Sequence, residues 1–298
     1  MSELTITNNL SLEASERPTA SSRGPSGPVT VIEPRSAWRA IDTRELWRYR
    51  DLFRFLVWRD IRVAYAQSAL GLGWAVAQPL ATMIVLTLVF GYFGRVSSDG
   101  YPYPVFSMSA LVPWTFFAAA VVGGVGSLVN DANMLRKIYF PRLLLPLAAV
   151  TAKLMNFGIA FVILLPLMMF YGITPTWRFA VLPLFIALMI VAAAGIAVWL
   201  TALAVQFRDI RHGIAFLIQL MMYASPIIYS STIIPEKFRP IYDLNPMVAV
   251  IEGFRWCVFG TTAFPTQSLL IGSLVAGTIF GTGLFYFRKR ERLFADVA

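Results

Sequence analysis

The residue types that carry most enzyme and cofactor chemistry are scarce in this chain. Cys257 is the one cysteine and His212 the one histidine, so the sequence offers no internal disulfide and no Cys/His cluster for zinc. The ATP-binding pattern G-x-x-x-x-G-K-[ST] is missing, because the dipeptide Gly-Lys never occurs. We therefore expect no metal, no cofactor and no ATP hydrolysis on this chain.

Acidic side chains are also missing from the long apolar stretches. Carriers coupled to protons or sodium usually place carboxylates inside the bilayer. Here no Asp or Glu falls in those stretches, and Lys153 is their one charged residue. Coupling to an ion gradient is therefore not expected. Lys153 either snorkels, pairs structurally or contacts an anionic substrate, and the sequence leaves these alternatives open.

The apolar stretches define the fold class. Of the 298 residues, 57% are hydrophobic and 14% charged, and the mean hydropathy is +0.66, which excludes an ordinary soluble protein. A bilayer core of about 30 Å takes ~20 helical residues to cross. We predict an all-α integral membrane protein with a six-span transmembrane domain over 67–292. The predicted spans are 72–94, 104–129, 143–171, 179–206, 213–234 and 266–287.

Positive charge predicts the orientation. Most of the 25 Lys and Arg residues flank the spans on one side, whereas the opposite side has only Arg95, Arg178, Lys237, Arg239 and Arg255. By the positive-inside rule, both termini are expected in the cytoplasm. The net charge of +9 then reflects membrane orientation rather than nucleic-acid binding. The polar residues 1–34 are expected to form a disordered cytoplasmic tail, and 293–298 a short C-terminal one.

Two further segments suit neither a span nor a loop. Residues 35–66 include an amphipathic pattern in which Phe53 and Val57 lie opposite basic residues. This predicts a helix in the plane of the cytoplasmic leaflet, with a peripheral soluble helix as the alternative. In the external region 235–264, the apolar run 247–259 is too short to cross. It predicts a re-entrant helix, although a helix lying flat on the surface fits equally well.

Two cytoplasmic connections carry more apolar and aromatic residues than a solvated loop needs. They read NDANMLRKIYFPR (130–142) and FRDIRH (207–212). This composition is typical of a segment that binds a groove in another protein. A loop packed on its own bundle remains an alternative. The candidate docking residues are Asp131, Asn133, Met134, Leu135, Arg136, Lys137, Tyr139, Phe140, Arg142, Arg208, Asp209 and Arg211.

A family resemblance rests on seven segments taken in order. They are YAQSALGLGWAVAQPL (65–80), LVPWTFF (111–117), DANMLRKIYFPRLLLPLA (131–148), VQFRDIRH (205–212), SPIIY (225–229), LNPM (244–247) and IEGFRW (251–256). Together they resemble the membrane subunit of type-two ABC exporters for lipid-linked polysaccharides, a group with permeases for O antigen, group-two capsule and wall teichoic acid. The resemblance covers 44–292. Asp131 stands where the family more often has Asn.

The resemblance implies a homodimer in the bacterial inner membrane, with a channel between the protomers and two ABC ATPase subunits that bind ATP and Mg²⁺. Residues 131–142 would form a coupling helix in a cleft of the ATPase, and 208–211 a second contact. The short helices of 235–264 would cap the channel, and the interfacial helix would guide the lipid headgroup inward. The expected function is ATP-driven export of an undecaprenyl-linked polysaccharide, O antigen above all.

Aromatic and basic side chains are candidates for contact with such a substrate. Rings can hold the flat C–H faces of sugars without strong directional bonds, although packing or facing lipid is the usual role of a membrane aromatic residue. The candidate path residues are Tyr92, Trp114, Phe116, Phe117, Tyr223 and Tyr229. Guanidinium groups match phosphate oxygens. The candidate lipid-headgroup residues are Arg48, Arg54, Arg59 and Arg62, whose charge is also explained by orientation alone.

Two alternative functions remain open. An exporter of small molecules or drugs would have the same architecture. A membrane-embedded glycosyltransferase would need acidic residues clustered at one membrane face. The external acids Asp99, Glu236, Asp243 and Glu252 are scattered along the sequence, which makes this enzyme the weaker alternative.

Overall fold

The long apolar segments form helices because lipid offers backbone N–H and C=O groups no partner outside the segment. The computed structural model describes residues 47–66, 71, 73–137, 139–207, 209–260 and 263–291, and every regular element in these ranges is helical. The predicted tails 1–34 and 293–298 lie outside the described residues.

The α-helices follow one another with short connections. They are α1 (Arg50–Tyr65), α2 (Gly73–Leu86), α3 (Tyr103–Asn130), α4 (Ala132–Lys137), α5 (Leu144–Ala152), α6 (Leu154–Phe170), α7 (Leu182–Ala204), α8 (Asp209–Tyr223), α9 (Arg239–Tyr242), α10 (Pro246–Phe259) and α11 (Thr266–Arg290). A π-helix over Thr87–Phe93 extends α2, and 3-10 turns occupy Trp177–Val181, Ser231–Ile233 and Glu236–Phe238.

Within the described ranges, five helical segments are long and apolar enough to cross a membrane. They are Gly73–Phe93, Tyr103–Asn130, Leu144–Phe170, Trp177–Ala204 and Thr266–Arg290, and they follow five of the six predicted spans closely. The third consists of α5 and α6, which meet at Lys153. The fold class is therefore that of an all-α integral membrane protein.

The remaining predicted span, 213–234, differs from the helix in the structure. Helix α8 begins earlier, at Asp209, and ends at Tyr223. Pro226 has no N–H to continue the helical ladder, and the Ser225 hydroxyl donates to the Met221 carbonyl at 2.8 Å, which satisfies one terminal acceptor. The chain then continues in turns, and a sixth span stays a prediction.

Helix α3 forms the centre of the bundle. It is buried along most of its length and packs against α5, α6, α7 and α10. Small residues permit close approach, since a Cβ added at Gly124 would lie 2.6 Å from the Ala197 Cβ on α7. Among helices in lipid, which is as apolar as their side chains, such close van der Waals packing replaces water exclusion as the main attraction.

Helix α10 lies inside the bundle. The Asn245 side chain accepts from the Met247 N–H at 3.1 Å, Pro246 opens the helix, and Gly260 ends it with φ of 74°. Almost every residue between these caps is buried, and the helix packs against α3, α7 and α11. The alternative of a helix lying flat on the surface is therefore wrong, because both of its faces are covered by protein.

Candidate functional site

Segment 131–142 is attached to the bundle at its first residue. Asp131 Oδ2 accepts a hydrogen bond from Arg59 Nη2 at 2.6 Å, and the same Nη2 donates to Asp60 Oδ1 at 2.8 Å. Burial lowers the pKa of Arg59 and the two carboxylates raise it, with a net rise above its ordinary value. The guanidinium is thus held in its charged form between α1 and the start of α4.

The last residue of the segment is attached to a different helix. Arg142 Nη1 donates to the Glu291 carbonyl oxygen at 2.8 Å, and the Arg142 backbone N–H donates to Glu291 Oε1 at 3.4 Å. Glu291 follows the last residue of α11. The segment is therefore fixed at one end to α1 and at the other to the end of α11.

Between these attachments the segment has an inner and an outer side. Phe140 is 4% exposed and belongs to a buried cluster with Leu56 and Phe287, against which Met134 and Leu135 also pack. On the outer side, Tyr139 is 89% exposed, and Asn133 and Lys137 are exposed as well. The structure thus corrects the docking assignment for Phe140, because a ring buried in its own subunit has no surface left for a partner.

The second connection presents fewer described residues. Asp209 is exposed at the start of α8, where a carboxylate also suits the positive end of the helix dipole. Arg211 is half-buried, and its Nε has no hydrogen-bond partner among the described residues. Arg208 and the side chain of Arg136 lie outside the described residues. Among the described residues of the two connections, Tyr139 is the most exposed aromatic side chain.

The four arginines predicted to contact a lipid headgroup differ in their exposure and in their contacts. Arg48 and Arg54 are exposed, and Arg54 pairs loosely with Asp51 at 3.6 Å. The Arg62 guanidinium lies over the Trp58 ring at 4.9 Å, a cation–π contact. Arg59 pairs with two carboxylates of its own subunit, those of Asp60 and Asp131. Its prediction as a contact for a lipid headgroup is therefore wrong.

The six candidate aromatic residues divide into two groups. Trp114, Phe116 and Phe117 are at most 4% exposed. Trp114 packs on Phe117 at 5.5 Å between centroids, and Phe116 packs edge-on against Phe157 at 6.0 Å. Rings buried in the core of one subunit cannot contact a polymer that slides along its surface, so the path assignment is corrected for these three residues.

The other three aromatic residues retain exposed surface or a polar contact. Tyr92 is 73% exposed and Tyr223 is 53% exposed. Tyr229 is half-buried, and its hydroxyl donates to the Tyr223 carbonyl at 3.1 Å while it accepts from the Tyr242 hydroxyl at 3.3 Å. Only these three remain candidates for contact with a substrate.

A buried polar network around Arg255 was not predicted from the sequence. Arg255 on α10 is 6% exposed, its Nη groups donate to the carbonyls of Ile227 and Tyr229 at 3.3 and 3.4 Å, and its guanidinium lies 3.6 Å from the centroid of the Phe106 ring. Burial lowers the pKa of Arg255 to about 10. The carbonyl contacts hold the turns that follow α8, so this arginine positions backbone rather than offering a free charge.

Two acidic residues of region 235–264 are also joined in space. Ser268 donates to Asp243 at 2.7 Å and contacts Glu252 at 3.1 Å, and Gln267 Nε2 donates to Asp243 at 3.2 Å. Their spacing in sequence gave no signal for this cluster, because Ser268 and Gln267 come from α11. Among the described residues, no group of three His, Cys, Asp or Glu side chains is arranged to hold a metal ion.

Comparison with known proteins identifies the family. The model of the ABC-2 type transporter family matches residues 51–259. The chain is 30% identical over 255 residues to the O-antigen export system permease protein RfbA of Myxococcus xanthus, covering 85% of this chain and 97% of that protein. It is also 30% identical over 250 residues to the RfbA permease of Klebsiella pneumoniae, covering 83% and 95%. The Escherichia coli polysialic acid transport protein KpsM is 24% identical over 241 residues, covering 78% and 91%.

These matches and the helical bundle define a multi-pass membrane subunit of a transporter. The chain belongs to the ABC-2 type transporter family. The relatives are named as permeases or as a transport protein, which favours a transporter subunit over the glycosyltransferase alternative. The family assignment agrees with the resemblance drawn from the seven sequence segments.

Proposed function

We propose that this chain is the permease of an ATP-driven exporter that moves an undecaprenyl-linked polysaccharide, O antigen above all, across the bacterial inner membrane. Two copies would enclose the channel, and two ABC ATPase subunits would bind ATP and Mg²⁺ on the cytoplasmic side. The names of the relatives, O-antigen export permease and polysialic acid transport protein, support the substrate class.

The observation that carries the proposal is the form of segment 131–142. It is fixed at Asp131 and Arg142 and packed inward through Phe140, and it presents Tyr139 outward at 89% exposure. An exposed aromatic residue on a firmly attached segment suits insertion into a groove of another protein. In this proposal the segment is the coupling helix through which the ATPase moves the bundle.

Membrane orientation follows the positive-inside rule in this proposal. Segment 131–142 and the basic last turn of α11 face the cytoplasm together with both termini. Of the six candidate aromatic residues, Tyr92, Tyr223 and Tyr229 keep surface for a sugar chain.

Reconstitution tests the proposal directly. Vesicles containing this chain, its ATPase and an undecaprenyl-linked O-antigen polysaccharide should accumulate protected polysaccharide when ATP is supplied. Vesicles with the chain alone, or with an ATPase that cannot hydrolyse ATP, should not. Uphill movement by the chain alone would contradict the proposal. Transport of small hydrophobic compounds without transport of the polysaccharide would favour the alternative of a drug exporter.

A further inference from the structure

An apolar groove lies between α7 and α11. It has a volume of about 350 Å³ and is lined by Ile196, Trp199, Leu200, Ile279 and Thr282. The Thr282 hydroxyl donates to the Thr278 carbonyl of its own helix at 2.7 Å. The groove therefore presents hydrocarbon and one aromatic ring to its occupant, and its polar atom is already satisfied.

Two glycines explain why the helices approach so closely beside this groove. A Cβ at Gly195 would lie 2.9 Å from backbone atoms of Phe280, and a Cβ at Gly283 would lie 3.0 Å from the Gly195 carbonyl oxygen. The same Cβ at Gly283 would lie 3.4 Å from the Trp199 side chain. The absence of side chains on α11 at this point lets the indole lie against the helix and form one wall of the groove.

At the end of the groove that leads to the last turn of α11, aromatic and basic groups follow in order. Trp199 stacks on Tyr286 with centroids 5.4 Å apart and rings 23° from parallel. The Arg290 guanidinium lies 5.6 Å from the centroid of the Tyr286 ring. Indole and phenol rings favour the boundary between hydrocarbon and headgroups. The apolar groove, the aromatic pair and the cation follow one another in the same order as the parts of a phospholipid. The groove would match the acyl chain, the aromatic pair the boundary region and the cation the phosphate.

Arg290 keeps donors for an anion. In the amide orientation that satisfies both groups, the Gln206 side-chain oxygen accepts from Arg290 Nε and Nη1, both at 3.3 Å. A guanidinium has five N–H donors, so three are left after these two contacts among the described residues. Gln206 thus orients the guanidinium without neutralising it, and Arg288 and Lys289 add positive charge in the same turn.

We propose that this groove binds a bilayer phospholipid with an anionic headgroup, its acyl chain between Ile196 and Ile279 and its phosphate on Arg290. Charge complementarity favours a phospholipid over a second protein helix, because an apolar helix would leave the guanidinium without a counter-charge. The inference requires that this face meet lipid, and it does not depend on which polysaccharide is exported.

Native mass spectrometry of the purified full-length chain tests the headgroup contact. Phosphatidylglycerol should bind more tightly than phosphatidylcholine of the same acyl chains. The substitution Arg290→Gln should weaken phosphatidylglycerol binding about fivefold, the value expected for one basic residue at a lipid surface, and leave phosphatidylcholine binding unchanged. The matched control is Lys289→Gln, which removes the same charge from an exposed neighbouring position; because Lys289 adds only to the surface potential, this change should weaken binding less than Arg290→Gln does.

A photoactivatable phosphatidylglycerol with a diazirine in its acyl chain tests the groove itself. Crosslinks should map to the residues around Ile196 and Ile279, and Thr282→Phe, which fills the groove, should remove them while Arg290 remains. The proposal would be overturned if Arg290→Gln and Lys289→Gln weakened phosphatidylglycerol binding equally, or if the two phospholipids bound equally well. Crosslinks confined to other helices would also overturn it. Preferential binding of undecaprenyl phosphate with the same dependence on Arg290 would overturn the choice of a bilayer phospholipid.

Discussion

Arg59 and Asp131 form a 2.6 Å ion pair that joins the amphipathic helix α1 to the first residue of segment 131–142. The two side chains are 27% and 20% exposed, so water screens the pair only in part. Asp60 accepts from the same nitrogen of Arg59. A residue chosen from sequence as a lipid contact is thus a connection between two elements of the protein.

Removing this ion pair should loosen the attachment of segment 131–142. Arg59→Gln and Asp131→Asn should each lower polysaccharide export and thermal stability, and a double-mutant cycle should give a coupling energy of about 1 kcal/mol. Arg54→Gln is the matched control, because Arg54 contacts only the exposed Asp51 among the described residues. Fully additive losses in the cycle would show that the two side chains do not act together.

Tyr139 and Phe140 are neighbours in sequence and should respond in opposite ways. Tyr139→Ala should change the free energy of unfolding by less than about 0.5 kcal/mol, because its ring is exposed. It should lower binding of the ATPase. Phe140→Ala should destabilise the chain by about 3 kcal/mol, because it leaves a cavity in a buried cluster. Thermal unfolding and co-purification with the ATPase measure the two effects. Loss of ATPase binding by Phe140→Ala at unchanged stability would contradict this division.

Gly253 should tolerate no larger residue while Phe185 faces it. A Cβ at this position would lie 2.1 Å from the Phe185 ring, so Gly253→Ala should destabilise the chain by about 1–3 kcal/mol through overpacking. Adding Phe185→Leu should recover part of the loss. Gly277→Ala is the control, because open space surrounds that position on α11 and stability should be unchanged or slightly higher.

Cys257 should be unreactive in the folded protein. Burial raises the pKa of its thiol to about 11, against a smaller opposing effect of Arg178, so less thiolate is present at pH 8 than for an exposed cysteine. Because the pKa of the thiol is higher in the folded chain than in the unfolded chain, the unfolded chain loses this proton at a lower pH. The contribution of the protonated thiol to the free energy of unfolding is therefore full below the ordinary thiol pKa and is lost as the pH rises through about 11. A maleimide reagent at pH 8 should label the parent only after denaturation, and should label Tyr139→Cys at once. Rapid labelling of the native parent would show that α10 is not enclosed.

Reporter fusions test the orientation. Fusions made after residue 35 and after residue 292 should both report a cytoplasmic location, as the distribution of Lys and Arg predicts. A fusion after Glu236 should report the opposite side, because this residue lies in the external region of the proposed topology. A cytoplasmic signal from all three fusions would contradict that topology.

The sequence was sufficient for the long helices and insufficient at two other places. Hydropathy alone was sufficient for five long helices, because the length of a span is fixed by bilayer thickness. Hydropathy did not locate the end of α8, because Pro226 and the hydroxyl of Ser225 end this helix locally. Periodicity could not tell which aromatic residues are buried in α3, since that helix is apolar on every side and surrounded by other helices.

Contacts between distant segments could not be predicted from the sequence, for a physical reason. Arg59 and Asp131, or Arg142 and Glu291, are brought together by the packing of whole helices, and no local pattern marks either pair. The composition of segment 131–142 predicts a surface for another protein, which stays a prediction, and it did not indicate that Phe140 would point inward. The buried position of Arg255 has the same origin, because its carbonyl partners come from the turns after α8.

The two attachments of segment 131–142 have a mechanical consequence. One end is held by α1, the first helix described along the chain, and the other by the residue that follows α11, the last. A protein that pushes on Tyr139 therefore cannot simply bend a loop. Under the proposed coupling, it would act on α1 and on the end of α11 at the same time, at the two ends of the described bundle.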